Sequence, residues 1–141
     1  MAEQYPYEIH RDVKFGHNTL IDVPEIVREC TAEWFNQSLC EVNDCVVRLA
    51  VVRGEFHWHK HDEEDEFFFV LSGKLLLDLE EGTIKLGSHQ TTNERGPRQR
   101  TIELGPHQGY TVPKGVSHRT RAPERTVVLV FEKSTVEPTG D

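Results

Sequence analysis

Three histidines occupy alternate positions near the middle of the chain: His57, His59 and His61. In an extended strand, this spacing places all three imidazoles on one face. An acidic run at residues 62–66 follows directly, ahead of an apolar run and a Ser-Gly turn at residues 72–73. Because the chain bends there, the acidic run can return a carboxylate to the histidine face.

A fourth histidine, His118, follows a strand-like stretch at residues 110–112 and a turn formed by Pro113, Lys114 and Gly115. Three neutral imidazoles and one carboxylate make a ligand set for a divalent ion such as Fe, Mn, Ni, Cu or Zn. Such a set leaves coordination positions for water or substrate. The residue types therefore predict one metal site that is built for chemistry.

The elements that would position these residues are short β-rich runs. They lie at residues 45–52, 56–61, 67–71, 74–79, 83–86, 101–104, 109–112 and 126–132. Glycine and proline between the runs suit tight reversals. The pattern predicts an all-β fold, an antiparallel barrel or double sheet that hides its strand edges.

The length of 141 residues is that of one ordinary domain. We place the barrel at residues 44–133, with an inserted polar loop at 88–100. Residues 1–43 are expected to form an N-terminal arm that packs on the barrel, and residues 25–35 within it could be a short helix or an extended edge segment. Residues 134–141 form a tail, expected to be a surface strand end or a loose terminus.

Charge and composition exclude several kinds of partner. The net charge is -8, from 16 basic and 24 acidic side chains, so the field of the protein would repel nucleic acid. No apolar run is long enough to span a membrane and no secretory signal opens the sequence, so we expect a cytoplasmic protein without a membrane partner. Three cysteines without a CxxC pair are expected to be reduced thiols.

The histidine-rich segment resembles the first sequence motif of the cupins, G-(x)5-H-x-H-(x)3-4-E-(x)6-G. His59, His61, Glu66 and Gly73 match this motif in order. The opening glycine, Gly54, stands one residue closer to the histidines than the motif requires.

The segment around His118 resembles the second cupin motif, G-(x)5-P-x-G-(x)2-H-(x)3-N. Pro113, Gly115 and His118 match it, whereas Ala122 stands where the motif has asparagine. The preceding glycine is Gly109 or Gly105, neither at the expected spacing. These departures affect turns and a supporting residue, not the metal ligands.

The resemblance implies a cupin-type antiparallel jelly-roll β-barrel with one divalent ion bound by His59, His61, Glu66 and His118. It also implies a small-molecule substrate or ligand and a homodimer formed through exposed sheet edges. It does not choose a reaction, because dioxygenases, isomerases, epimerases, lyases, storage proteins and ligand-sensing domains share this scaffold.

A metal-dependent enzyme is the leading functional hypothesis. Iron would allow oxidative cleavage by dioxygen, and Zn, Ni or Mn would assist isomerisation or elimination as Lewis acids. His57 and Tyr110 are candidate catalytic residues for proton transfer, although His57 could also be a further ligand, a contact around the ligands or a packed residue. The alternatives are a non-catalytic module that binds or senses a small ligand, and a structural or storage protein.

Overall fold

The computed structural model describes residues 7–80 and 99–141 of the chain. The predicted strand at 83–86 and residues 88–98 of the predicted polar loop lie outside the described residues. The elements, in chain order, are strand β1 (Glu8–His10), helix α1 (Val23–Glu29), and strands β2 (Trp34–Val42), β3 (Cys45–Glu55), β4 (Glu66–Ser72), β5 (Leu75–Glu80), β6 (Gln99–Leu104), β7 (Gly109–Val112) and β8 (Ser117–Lys133).

The strands form one sheet in the order β1-β2-β3-β8-β4-β7, and β5 pairs with both β6 and β8. All pairs are antiparallel except the short parallel pair of β1 and β2. Strand β8 is 17 residues long and pairs with β3, β4 and β5. This one strand therefore connects all parts of the sheet, and the predicted all-β architecture is confirmed.

The predicted strand at residues 56–61 is wrong. In this segment only His59 makes a ladder contact, an isolated antiparallel bridge with His118. The predicted strand at residues 126–132 is too short at its start, because β8 begins at Ser117. Gln99 and Arg100, placed in the predicted loop, belong to β6.

The described part of the predicted arm contributes both a helix and strands to the fold. Helix α1 begins after Asp22, whose side chain accepts a hydrogen bond from the Glu25 backbone N–H at 3.3 Å, and Pro24 lies in its first turn. Within residues 25–35 the helix covers 25–29, and only Trp34 and Phe35 belong to a strand, so the structure favours the helical alternative. Strand β2 pairs with β3 along its length.

Two apolar clusters cover opposite faces of β3. Ala50 and Val52 point into the barrel, whereas Leu49 and Val51 pack with Ile26 of α1 on the outside. Both faces of β3 are therefore buried, which explains why its sequence is almost continuously apolar instead of alternating.

The side chains of strand β4 alternate between the barrel core and the outer face of the sheet. Phe68 and Val70 lie in the barrel core, while Phe67 and Phe69 are half-buried on the outer face beside Phe131 of β8. An uninterrupted run of three phenylalanines carries no polar residue to show which positions face inward.

Residues 134–141, which we call the strap, pack against the barrel and do not form a loose terminus. Val136 is 3% exposed. The Ser134 N–H donates to the carbonyl of Asp44 at 3.0 Å, and the Asp141 N–H donates to the carbonyl of Lys60 at 2.9 Å. The strap thus runs from the end of β8 to the histidine-rich segment.

All three cysteines are free. No helix among residues 7–80 and 99–141 is long and apolar enough to cross a membrane.

Candidate metal centre

The four predicted metal ligands meet at one point inside the barrel. One ligand atom each from His59, His61, Glu66 and His118 lies within 4.8 Å of the other three. Because bonds from nitrogen or oxygen to an ion such as zinc are about 2.1 Å long, ligands on opposite sides of an ion are about 4.2 Å apart. Inward movement of roughly half an ångström would thus bring all four into contact with one ion.

Backbone contacts between the two motif segments hold the ligands together. His59 and His118 exchange both backbone hydrogen bonds, at 2.9 and 2.8 Å. The Gly115 N–H donates to the carbonyl of His61 at 2.7 Å, and the Lys114 N–H donates to a carboxylate oxygen of Asp65 at 2.9 Å. The turn that precedes His118 is therefore tied to the loop that carries His61.

Two of the imidazoles are oriented by backbone carbonyls. His59 Nδ1 lies 3.0 Å from the carbonyl of His57, and His118 Nδ1 lies 3.0 Å from the carbonyl of Val116. A carbonyl only accepts, so Nδ1 carries a proton in both rings, and Nε2 is the nitrogen of each ring that can coordinate an ion. Such contacts to the non-ligating nitrogen are common around metal-binding histidines.

His61 supplies the observation that tests whether a metal fits. Its side chain is buried, and neither ring nitrogen has a hydrogen-bond partner of good geometry among the described residues. His61 Nε2 lies 3.5 Å from Glu66 Oε1. A buried imidazole without partners is costly, and a coordinated ion at this point would satisfy it. The donor set therefore fits a divalent metal.

Electrostatics within the cluster favour a bound cation. Burial, followed by the charge of His118, lowers the pKa of His59 to about 4, so this imidazole is neutral at pH 7. Burial would raise the pKa of Glu66, but the hydrogen bond from His118, at 3.0 Å, and the interaction with the nearby His61 ring hold this pKa well below its usual range. The pKa of His61 is raised because interactions with Glu66 outweigh burial. An ion could therefore bind the neutral imidazole of His59 and the ionised carboxylate of Glu66 without displacing a proton from either group.

Sequence reasoning missed two buried charged residues behind the cluster, Glu132 and Arg48. Glu132 is 5% exposed and stands directly opposite Glu66 in the pairing of β4 with β8. Arg48 Nε lies 3.4 Å from Glu132 Oε1, and Arg48 Nη2 donates to the carbonyl of Val136 in the strap at 3.2 Å. Burial, together with the charge of Glu66, raises the pKa of Glu132 well above its usual range.

A signal for both residues was present in the sequence. Glu132 has the strand parity of Val128 and Val130, and Arg48 has that of Val46 and Ala50. A charged residue at a position whose strand neighbours face the core calls for a buried partner.

A small cavity adjoins the metal ligands. Its volume is about 50 Å³. The wall is mainly apolar, and it includes His59 and Glu66 of the cluster, Asn36, Thr120 and Glu132 as further polar residues, and Pro138 of the strap. A space of this size holds only a few water molecules. The site therefore combines a ligand cluster with a small, mainly apolar pocket that is partly open to solvent.

The two candidate catalytic residues, His57 and Tyr110, are not among the residues that line this cavity. His57 Nε2 lies 2.7 Å from the carbonyl of Thr139, and the Tyr110 hydroxyl accepts a hydrogen bond from Arg100 at 2.9 Å. His57 also lies outside the ligand cluster. Their roles in proton transfer stay predictions.

Comparison with known proteins places the chain in a family. No family model matches it. The uncharacterized protein YdbB of Bacillus subtilis strain 168 is 38% identical over 112 residues, which are 79% of this chain and 84% of that protein. The crystal structure of a cupin-2 domain protein from Shewanella frigidimarina matches with a TM-score of 0.62 and 27% identity, over 81% of this chain and 94% of that one. This chain belongs to the cupin superfamily.

Membership confirms the jelly-roll β-barrel predicted for this cupin. The hydroquinone 1,2-dioxygenase PnpCD, solved in complex with Fe3+, has a similar fold with a TM-score of 0.66 at 12% identity, over 84% of this chain and 33% of that one. At that identity the likeness shows the fold alone. This cupin thus brings together the donor atoms of three histidines and one glutamate, a group able to hold a metal ion, inside a jelly-roll barrel.

Proposed function

We propose that this cupin is a metal-dependent enzyme that acts on a small organic molecule, with one divalent ion held by His59, His61, Glu66 and His118. The observation that supports this proposal is the convergence of these four ligand atoms, within 4.8 Å, beside a mainly apolar cavity. An ion needed only for stability is more often enclosed by four ligands without an adjoining chamber.

The protein groups have distinct tasks in this proposal. The carbonyls of His57 and Val116 keep Nδ1 of His59 and His118 protonated and direct Nε2 toward the ion. Glu66 supplies the negative charge that offsets the cation. A bound ion would contribute Lewis acidity or, if it is iron, activation of dioxygen. Apolar side chains such as Trp34 and Phe68 in the cavity wall exclude water from the reacting molecule.

Two reaction classes agree with this ligand set. A dioxygenase would use iron and a substrate that binds it directly, and the fold is shared with the hydroquinone 1,2-dioxygenase PnpCD. An isomerase or lyase would use Zn, Ni or Mn and a proton-transfer group. The ligands suit either class, so the metal and the substrate have to be determined together.

A non-catalytic module that binds or senses a small ligand is the second candidate. The cavity favours it, because a volume of about 50 Å³ is small for a substrate and its products. Such a module would bind a ligand without converting it.

Metal analysis and turnover assays test the proposal. Protein purified without added metal is analysed for its metals, stripped, and reloaded separately with Fe(II), Mn, Ni, Cu and Zn. Each form is then incubated with panels of small phenols, hydroxy acids and sugars. Oxygen uptake reports a dioxygenase, and a change in the NMR spectrum of the substrate reports an isomerase or lyase.

Two variants make the assay specific. His59→Ala removes a half-buried ligand and should abolish metal binding and turnover, whereas His17→Ala removes an exposed loop histidine and should change neither. Equal unfolding of the metal-free proteins in urea shows that both are folded. Equal metal content in both variants contradicts the metal site, and ligand binding without conversion favours the module.

We also propose that this cupin forms a homodimer. Phe67, Phe69 and Phe131 leave an aromatic area partly exposed on the outer face of β4 and β8, with the rings of Phe67 and Phe131 5.7 Å apart. Apolar surface of this kind is often covered by a partner. Light scattering after gel filtration tests the dimer, and Phe67→Glu with Phe131→Glu should yield the monomer; a monomeric parent protein contradicts it.

A further inference from the structure

The strap crosses the histidine-rich segment and is fixed to it by polar contacts. His57 Nε2 donates to the carbonyl of Thr139 at 2.7 Å, and the Asp141 N–H donates to the carbonyl of Lys60 at 2.9 Å. The Asp62 N–H donates back to the Asp141 carboxylate at 2.6 Å. These three contacts thus hold residues 139–141 along this segment.

Other contacts set the orientation of the His57 ring. The Tyr7 hydroxyl accepts from the His57 backbone N–H at 3.0 Å and lies 3.4 Å from His57 Nδ1, to which it can donate. The ring also stacks on Phe56, with centroids 4.5 Å apart. A ring held on two sides, with Nε2 protonated and aimed at the strap, is suited to holding a carbonyl in place.

Gly140 brings the strap into direct contact with a metal ligand. A Cβ atom added at this residue would lie 2.5 Å from the Cβ of His59, and the glycine has a φ of +96°. Only glycine fits such an approach at a positive φ without strain. The strap therefore covers His59 at van der Waals distance.

His59 is also the ligand through which the cluster can be reached. His61, Glu66 and His118 are buried, whereas His59 is half-buried and borders the cavity. Pro138 of the strap forms part of the same wall. Movement of the strap would therefore widen the access to His59 and to this pocket.

We infer that His57 is a positioning residue that latches the strap over the metal centre, and that release of the Thr139 carbonyl opens the path to His59 and the cavity. This inference extends the proposed function, since it concerns access to the same site. It gives His57 a task other than proton transfer, and it makes the strap the movable part of the wall.

The chemical accessibility of His59 in metal-free protein tests the latch directly. Diethyl pyrocarbonate modifies exposed histidines, and mass spectrometry of peptides follows His59 alone. His57→Phe keeps the aromatic stacking but removes the donor, so it should speed modification by about fivefold to tenfold, the effect of losing one hydrogen bond. His57→Gln keeps a donor and should restore most of the protection.

Gly140→Ala gives a second, independent opening of the strap. The clash with His59 and the positive φ should together speed modification by about tenfold or more. Gly54→Ala is the matched control, because Gly54 has a similar φ of +101° but no atom within 4 Å of an added Cβ. It should leave His59 as protected as in the parent protein.

Zinc exchange distinguishes a gate from a ligand-positioning effect. Loading of Zn2+ is followed with a chromophoric chelator, and extraction with EDTA. Because a gate changes entry and exit equally, His57→Phe and Gly140→Ala should raise both rates by the same factor and leave the zinc Kd within about twofold. A weaker Kd with an unchanged loading rate would overturn the inference.

The remaining outcomes are also decisive. Unchanged modification of His59 in both His57→Phe and Gly140→Ala, or equal acceleration in Gly54→Ala, overturns the latch. Failure of the parent protein to bind Zn2+ or any other divalent ion would instead contradict the proposed function. The modification rates in metal-free protein would still decide the role of the strap.

Discussion

Asp78 offers a sharp test of how β8 is held in place beside the metal centre. Its Oδ1 accepts from Thr101 Oγ1 at 2.7 Å and Arg121 Nη2 at 2.9 Å, and its Oδ2 accepts from Arg119 Nε at 2.8 Å and Arg121 Nε at 2.5 Å. Asp78 pairs with Arg119, and the next residue along β5 pairs with His118. We expect Asp78→Asn to destabilise the fold and to loosen this part of β8.

The magnitude follows from what asparagine can replace. An asparagine oxygen could keep the two bonds made by Oδ1, but its NH2 group would face the two donors now bound by Oδ2. Two hydrogen bonds to a charged group are worth about 3–6 kcal/mol in total when fully buried. The Arg119 and Arg121 side chains are 29% and 32% exposed, so water replaces part of this loss. We therefore expect a decrease of about 2–3 kcal/mol in the free energy of unfolding.

Urea unfolding of metal-free protein at pH 7 and pH 3 checks both the size and the sign. Hydrogen bonds from Arg121, Thr101 and Arg119 outweigh burial and hold the pKa of Asp78 well below its usual range. The stability that Asp78 confers is therefore complete above the unfolded pKa of about 3.9 and is lost as the pH falls below it. The difference between parent and variant should shrink by about 1 kcal/mol at pH 3.

Glu103→Gln is the matched control for this experiment. Glu103 lies on the neighbouring strand β6 and pairs with Lys74 at 2.9 Å, but both side chains are about half exposed. Its replacement should cost less than about 1 kcal/mol. The reasoning is refuted if Asp78→Asn costs no more than Glu103→Gln, or if its cost grows as the pH falls.

Three further predictions concern the site and its support. Glu132→Ala should weaken zinc binding by about 10- to 100-fold in competitive titrations, because Glu132 contacts the proposed ligand Glu66 and helps to orient it. An unchanged Kd would show that Glu66 does not need this contact. Zinc affinity should fall as the pH is lowered from 8 to 5, since His61, whose pKa is raised, must lose its proton to bind. Calorimetry in two buffers of different ionisation enthalpy measures that proton release, and release of none contradicts it. Trp34→Ala should lower the free energy of unfolding by about 3–5 kcal/mol in urea, because it empties part of a packed core; a loss below about 1 kcal/mol would mean that the core refills the space.

The ligand cluster could be predicted because its information is local in sequence. His59, His61 and Glu66 lie within one short segment, and the turn before His118 has a recognisable Pro-x-Gly spacing. Alternation and turn residues likewise predicted most strands from Cys45 onward. The wrong prediction of a strand at 56–61 left the cluster intact, because the bridge with His118 fixes the position of His59.

The surroundings of the cluster could not be predicted because they depend on pairings between distant segments. His57 has the same strand parity as His59 and His61, and it would share their face if the segment were a strand. Since residues 56–58 are not in a strand, the ring turns to Tyr7 and Thr139, which are far away in sequence. The strap escaped prediction for the same reason, because its composition is that of a free end.

Strand β8 shows why the site and its support form one unit. It carries His118 where it pairs with β5, and it carries Glu132 where it pairs with β4 opposite Glu66. It also pairs with β3 from Arg121 to Lys133, and Arg48 of β3 contacts both Glu132 and the strap carbonyl of Val136. A shift of β8 would therefore move both the proposed ligand His118 and Glu132, the residue paired with the proposed ligand Glu66. It would also displace the strap, which starts at the end of β8. The proposed ion site and the attachment of the strap thus depend on the position of a single strand.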